Sequence, residues 1–211
     1  MTNTLSSFLT AVNSCPLVPV LTIEDADTAG ELATVLYDAG LTTAEVTLRT
    51  DCALAAIKAM KSAAPNLVVG AGTILNKDDV LASLDAGSDF LVTPATSKRL
   101  RKVLQKVSVP VFPGVSTPSE ALTLYEHGFE YLKFFPAESN GGVKALRSIG
   151  APMPQIKFMP TGGIDAGSAP EYLACLNVIA IGGSWMIDKV ANKNRDWETL
   201  SLAIKEAVSG I

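Results

Sequence analysis

Apolar and polar positions along this chain follow two rhythms. Short apolar runs recur at 17–21 (LVPVL), 44–48 (AEVTL), 67–71 (LVVGA), 90–93 (FLVT), 109–112 (VPVF), 131–135 (YLKFF), 156–159 (IKFM) and 178–181 (VIAI). Runs this short, rich in β-branched and aromatic residues, predict buried strands. Between them lie longer stretches of Ala, Leu and charge at 26–39, 52–62, 77–85, 98–106, 119–126, 142–149 and 170–175, and a last one at 197–209. These predict helices. Several close on Ala39-Gly40, Ala86-Gly87 or His127-Gly128, where glycine relieves the left-handed turn after a helix. Pro118 and Glu120 mark the start of another. Eight strands alternating with helices predict a parallel sheet, and closure into a (β/α)8 TIM barrel is the simplest solution. An open doubly wound sheet competes with it. Against that solution, no GxGxxG follows the first strand, and polar residues follow nearly every strand rather than one switch point. No linker or change of composition divides the chain, so one domain over 1–211 is expected.

Composition narrows the partners. Of 211 residues, 48% are hydrophobic and 18% charged, an ordinary globular balance. A net charge of −4 offers no basic excess for nucleic acid. No apolar run approaches the roughly 20 residues of a membrane span, and the N-terminus lacks the pattern of a signal peptide. Cys15, Cys52 and Cys175 are scattered and odd in number, which suits small buried residues in a reducing, cytoplasmic compartment. The single histidine, His127, cannot by itself supply a three-histidine zinc site.

In a barrel of this kind the chemistry sits at the C-terminal ends of the strands. Those ends are rich in Gly, Thr, Ser and Pro. Alternation places Glu45, Thr47 and Arg49 on one face and Val46 and Leu48 on the other, so the polar face points inward. Lys133 shares an inward face with Tyr131 and Phe135. An ammonium ion is costly in such an interior, and a buried amine freed of its proton attacks a ketone to form an imine. Two readings of this lysine stand side by side: a Schiff-base nucleophile, or a plain ion pair with Glu45. Glu45 fits a proton shuttle or the partner of that pair. Arg49, at a strand end, fits a ligand for a carboxylate. Thr161-Gly162-Gly163 and Gly182-Gly183-Ser184 end the last two strands, where backbone N–H groups commonly bind phosphate.

With these residues assembled, the chain resembles the KDPG aldolase family (2-keto-3-deoxy-6-phosphogluconate aldolase, also 4-hydroxy-2-oxoglutarate aldolase). PLVPVL at 16–21, AEVTLRT at 44–50, VGAGTILN at 69–76, FPGVSTPSE at 112–120, LKFFPAESNGGVKAL at 132–146, MPTGGI at 159–164 and IGGSWM at 181–186 carry the resemblance in order along nearly the whole chain. The fourth strand departs from it, ending Val-Thr-Pro-Ala-Thr where the family often has Ser-Pro-Gly, with Pro94 kept. The resemblance implies a metal-free class I aldolase that splits a keto-acid phosphate into pyruvate and glyceraldehyde 3-phosphate. It makes Lys133 the Schiff-base lysine and Glu45 the proton shuttle. It gives the pyruvate carboxylate to Arg49 and Thr73, the pocket wall to Pro94 and Phe135, facial selectivity to Thr161, and the phosphate to Gly162, Gly163 and Ser184. It also implies a homotrimer. Three alternatives remain at this point: a relative acting on a galactonate-derived or unphosphorylated keto acid, a sugar-phosphate isomerase or epimerase on the same barrel that forms no imine, and a catalytically dead barrel that binds a metabolite or a partner protein.

Overall fold

The computed structural model describes residues 2–211. It opens on a helix the apolar pattern did not predict, α1 (Thr2–Ser14). Strands and helices then alternate: β1 (Leu17–Leu21), α2 (Ala29–Asp38), β2 (Thr43–Thr47), α3 (Ala53–Ala63), β3 (Val68–Gly72), α4 (Lys77–Asp85), β4 (Phe90–Val92) and α5 (Lys98–Leu104). The second half holds β5 (Val111–Phe112), β6 (Gly114–Val115), α6 (Pro118–Tyr125), β7 (Tyr131–Phe134), α7 (Gly142–Gly150), β8 (Lys157–Pro160), α8 (Ala169–Leu173), β9 (Ile181–Gly183), α9 (Lys189–Asn194) and α10 (Trp197–Ser209). Several helices begin where side chains satisfy their first N–H groups. Asn76 accepts from the amides of Asp78 and Asp79, and Ser97 from that of Leu100. Thr117 and Glu120 cap α6 reciprocally. Gly40, Gly87 and Gly128 all take the left-handed conformation expected after α2, α4 and α6.

The sheet corrects the expected TIM barrel. Instead of one eight-stranded ladder closed on itself, the parallel strands form a six-stranded sheet, β5-β4-β3-β2-β1-β9, and a three-stranded sheet, β6-β7-β8. Two local causes divide them. Pro113, which has no N–H, interrupts the run 111–115, so β5 pairs with β4 whereas β6 pairs with β7. Just beyond it, the Gly114 amide donates to the Thr93 hydroxyl rather than to a ladder carbonyl. At the other seam only the isolated bridges Phe158↔Val178 and Thr161↔Gly182 join β8 to the region of β9. The last apolar run (178–181) therefore starts its strand three residues later than predicted.

Helices and outward strand faces share the main core, which includes Leu36, Val46, Ile57, Val69, Phe134 and Ile204. A second buried cluster lies on the inward faces: Val18, Phe90, Val92, Phe112 and Met159, closed by Phe8 and Val12 of α1. Phe8 packs on Phe112 and Phe90 at centroid separations of 4.6 and 4.9 Å. The helix sits at the N-terminal ends of the strands, where the Thr42 hydroxyl donates to the Ala11 carbonyl. Among the described residues no helix is long and apolar enough to cross a membrane. The three cysteines are free.

Candidate active site

Register decides which side chains meet inside. Glu45 lies mid-strand in β2, flanked by Val20 of β1 and Gly70 of β3. Lys133 lies mid-strand in β7, flanked by Gly114 and Met159. The two therefore belong to different sheets, 88 positions apart in sequence, and both point inward as alternation predicts. Lys133 Nζ donates to Glu45 Oε1 at 3.1 Å and lies 3.5 Å from Oε2. Their side chains are 6% and 1% exposed, so two full charges face each other away from solvent. The Lys133 ammonium also sits 5.3 Å from the centroid of Phe135, within cation–π range. Gly72 makes room for this pair: a Cβ there would collide with the Glu45 carboxylate. A small residue on β3 is thus what lets Glu45 turn toward Lys133.

Above the pair a cavity of about 670 Å³ opens to solvent. It gathers Arg49, Phe135, Thr161, Gly162, Gly163 and Ser184, six of the ten residues singled out from sequence. Lys133 and Glu45 do not themselves line the cavity, but Lys133 reaches its wall through Phe135. Thr73 and Pro94 do not line the cavity. Thr73 follows Gly72 at the end of β3, where it adopts φ 62°, a left-handed conformation uncommon for a β-branched residue. Pro94 lies two residues beyond β4, and its backbone lies against Gly114 so closely that no side chain fits there. Thr161 is 5% exposed, and its hydroxyl has no hydrogen-bond partner although it lies in the cavity wall. An unmade bond of this kind costs roughly 1–3 kcal/mol, which a ligand at this position can return.

Sequence reasoning missed one wall. Lys189 and Lys193 of α9, together with Arg195, line the cavity along with Glu24 and Asp25. Arg195 takes φ 57° as the helix ends, and its guanidinium pairs with Asp25 at 2.9 Å across 170 residues. The available signal was Asp188, whose carboxylate accepts from the amides of Val190 and Ala191 and so starts the helix. Among the described residues no three His, Cys, Asp or Glu side chains converge as a ligand set for a metal ion.

Comparison with known proteins places the chain. The family model for KDPG and KHG aldolase matches residues 9–202. The KHG/KDPG aldolase of Escherichia coli K12 is 39% identical over 210 residues, covering 100% of this chain and 99% of that protein. The crystal structure of KDPG aldolase from Legionella pneumophila, with pyruvate captured at low pH as a covalent carbinolamine intermediate, superposes with a TM-score of 0.90 at 34% identity, over 95% of this chain and 97% of that one. The 2-keto-3-deoxy-6-phosphogluconate aldolase of Zymomonas mobilis gives a TM-score of 0.89 at 38% identity over 96% of each chain. With the family model spanning the site and a relative aligned from end to end, this chain belongs to the KDPG and KHG aldolase family.

Proposed function

We propose that this chain is a class I aldolase that cleaves 2-keto-3-deoxy-6-phosphogluconate into pyruvate and glyceraldehyde 3-phosphate through a Schiff base on Lys133, and that it also splits 4-hydroxy-2-oxoglutarate into pyruvate and glyoxylate. The observation that carries the reading is the buried contact of Lys133 with Glu45 at 3.1 Å, joined through Phe135 to a cavity lined by Arg49, Thr161 and the glycine turn. A carbinolamine is an amine added to a ketone, and the Legionella relative holds pyruvate in that form. An ion pair with no other purpose accounts for the contact alone. It leaves unexplained a cavity lined by Arg49, the glycine turn and an unpartnered threonine hydroxyl.

The cycle follows from the chemistry of these groups. The Lys133 amine adds to the C2 ketone, and Glu45 shuttles protons as the carbinolamine loses water to give a protonated imine. Glu45, through a water, takes the C4 hydroxyl proton. The C3–C4 bond breaks, the aldehyde leaves, and the bonding electrons pass into the imine to form an enamine. Protonation at C3 and addition of water release pyruvate and restore the amine. In this reading Arg49 and Thr73 hold the keto-acid carboxylate. Pro94 and Phe135 wall the pocket, and Thr161 sets the face of attack. Gly162, Gly163 and Ser184 take the phosphate on their N–H groups. The same reading carries three further assignments: one domain over 1–211, supported by a main core that strands and helices from both halves of the chain share; a homotrimer, testable by light scattering; and a reducing, cytoplasmic compartment, supported by the free cysteines.

Borohydride trapping tests the central claim. Pyruvate with borohydride should add one covalent label at Lys133, and Lys133→Ala should abolish it. An intact-mass spectrum of the trapped wild type with no adduct refutes the Schiff base. Activity should survive EDTA. The phosphorylated substrate should show a higher kcat/KM than its dephosphorylated form, and equal values remove the phosphate role of the glycine turn.

A further inference from the structure

The Gly162–Gly163 turn does not hold its own shape. Gly162 and Gly163 take φ 103° and 83°. The segment after β7 braces them from one side. The Ala137 amide donates to the Thr161 carbonyl at 2.8 Å, and the Glu138 amide to the Gly162 carbonyl at 3.0 Å. The Cβ and Cγ of Glu138 fill the space a Gly163 side chain would need, at 2.7 and 2.8 Å from its ideal Cβ. Glu138 thus touches the turn through both backbone and side chain.

Its carboxylate is in turn anchored. The hydroxyl of Tyr172, on α8, donates to Glu138 Oε1. Tyr172 is fully buried in the main core, so this hydroxyl is a fixed point rather than a mobile one. Burial, and then the bond to Glu138, push the Tyr172 phenol well above its ordinary pKa, so it remains a donor across the working range. A carboxylate close to an anion-binding turn is electrostatically unfavourable. Its presence therefore calls for a positive reason, and the bond to Tyr172 supplies one.

We propose that Glu138, anchored by Tyr172, is a positioning residue that fixes the Gly162–Gly163 turn for the phosphate end of the substrate. This rests on the reading of that turn as the phosphate site. Glu138 acts through the turn and touches no reacting atom.

The test compares the phosphorylated keto acid with its dephosphorylated form in the full chain. Tyr172→Phe removes only the hydroxyl, and Glu138→Ala removes the brace from its exposed end. Each should raise KM for the phosphorylated substrate about tenfold, the scale of one hydrogen bond to a charged group. Neither should change kcat, nor kcat/KM for the dephosphorylated form. The double variant should be no worse than the single ones, and Glu138→Gln, which keeps an acceptor oxygen, should retain wild-type behaviour. An equal loss with both substrates would show a merely structural role and overturn the proposal. So would an unchanged preference in both variants. A wild type with no preference for the phosphorylated form would overturn the phosphate reading and this proposal together.

Discussion

Replacing Lys133 by Met keeps the apolar stem and deletes the charge. At 3.1 Å and an effective dielectric constant of about 20, the attraction between Lys133 and Glu45 amounts to roughly 5 kcal/mol. Against this stands a desolvation penalty of several kcal/mol for each ion, since the two side chains are 6% and 1% exposed. The pair is therefore close to neutral for folding, or unfavourable. Removing one member is different, because it strands the other. Lys133→Met leaves the Glu45 carboxylate buried without its cation, at a cost of about 3–5 kcal/mol. Adding Glu45→Leu removes the stranded charge and should restore wild-type stability or exceed it. In urea unfolding followed by far-UV circular dichroism, an m-value near ~2 kcal/mol/M turns that cost into a midpoint lowered by roughly 2 M for the single variant. The double variant should return to the parental midpoint while remaining inactive. A double variant several kcal/mol below wild type would show that the pair earns its place as a stability device. A single variant as stable as the parent would refute the claim that the two charges depend on each other.

Four further outcomes follow from named contacts. Gly72→Ala places a methyl against the Glu45 carboxylate, so borohydride labelling of Lys133 should slow by at least about tenfold with little loss of secondary structure; unchanged labelling refutes the close fit. Thr73→Gly relieves a left-handed backbone worth on the order of 1 kcal/mol, so it should raise the melting temperature while raising KM for pyruvate trapping; a lower melting temperature counts against the strain. Phe8→Ala empties the inner aromatic cluster and should cost about 3–5 kcal/mol in urea unfolding; a cost under about 1 kcal/mol would show that α1 merely rests on the fold. For Glu120, burial raises the carboxyl pKa, but hydrogen bonds from Ser116 and Thr117 outweigh it and leave the group below its ordinary value. Its contribution is thus full above the unfolded carboxylate value near ~4.3 and is lost as pH falls through the lower folded value. The urea-midpoint gap between wild type and Glu120→Gln should shrink across that window, and a constant gap from pH 7 to pH 2 refutes the assignment.

Much of this was legible in the residues, for physical reasons that can be named. β1, α4 and α10 occupy the predicted spans, because each joins a clear apolar rhythm to clear end signals. The Lys133–Glu45 contact was legible from strand parity alone, since a period of two assigns each side chain a face. Closure of the sheet was not legible. Pro113 and the glycine-rich β9 are read locally as ordinary turn residues, and only the assembled ladder shows that the strands exchange partners there. α1 was not legible because Ser and Thr, which favour helices weakly, stand between its apolar residues Leu5, Phe8 and Val12 and dilute the helical rhythm. The cationic wall of the cavity escaped for another reason: Arg195 finds Asp25 at the far end of the chain, and nothing local to either residue encodes that meeting.

The aromatic cluster under α1 has a kinetic meaning. Phe8, Phe90 and Phe112 are fully buried and fill the interior at the N-terminal ends of the strands. Lys133 instead meets Phe135, which lines the open cavity at the opposite, C-terminal ends of the strands. In the proposed cleavage, the fragment tethered to Lys133 sits deep and the phosphorylated aldehyde sits nearer the exit. The aldehyde must depart first and pyruvate last. In the condensing direction pyruvate must load before its partner, since its bond to Lys133 has to form first, and the aromatic cluster at the other end leaves both events to the cavity side.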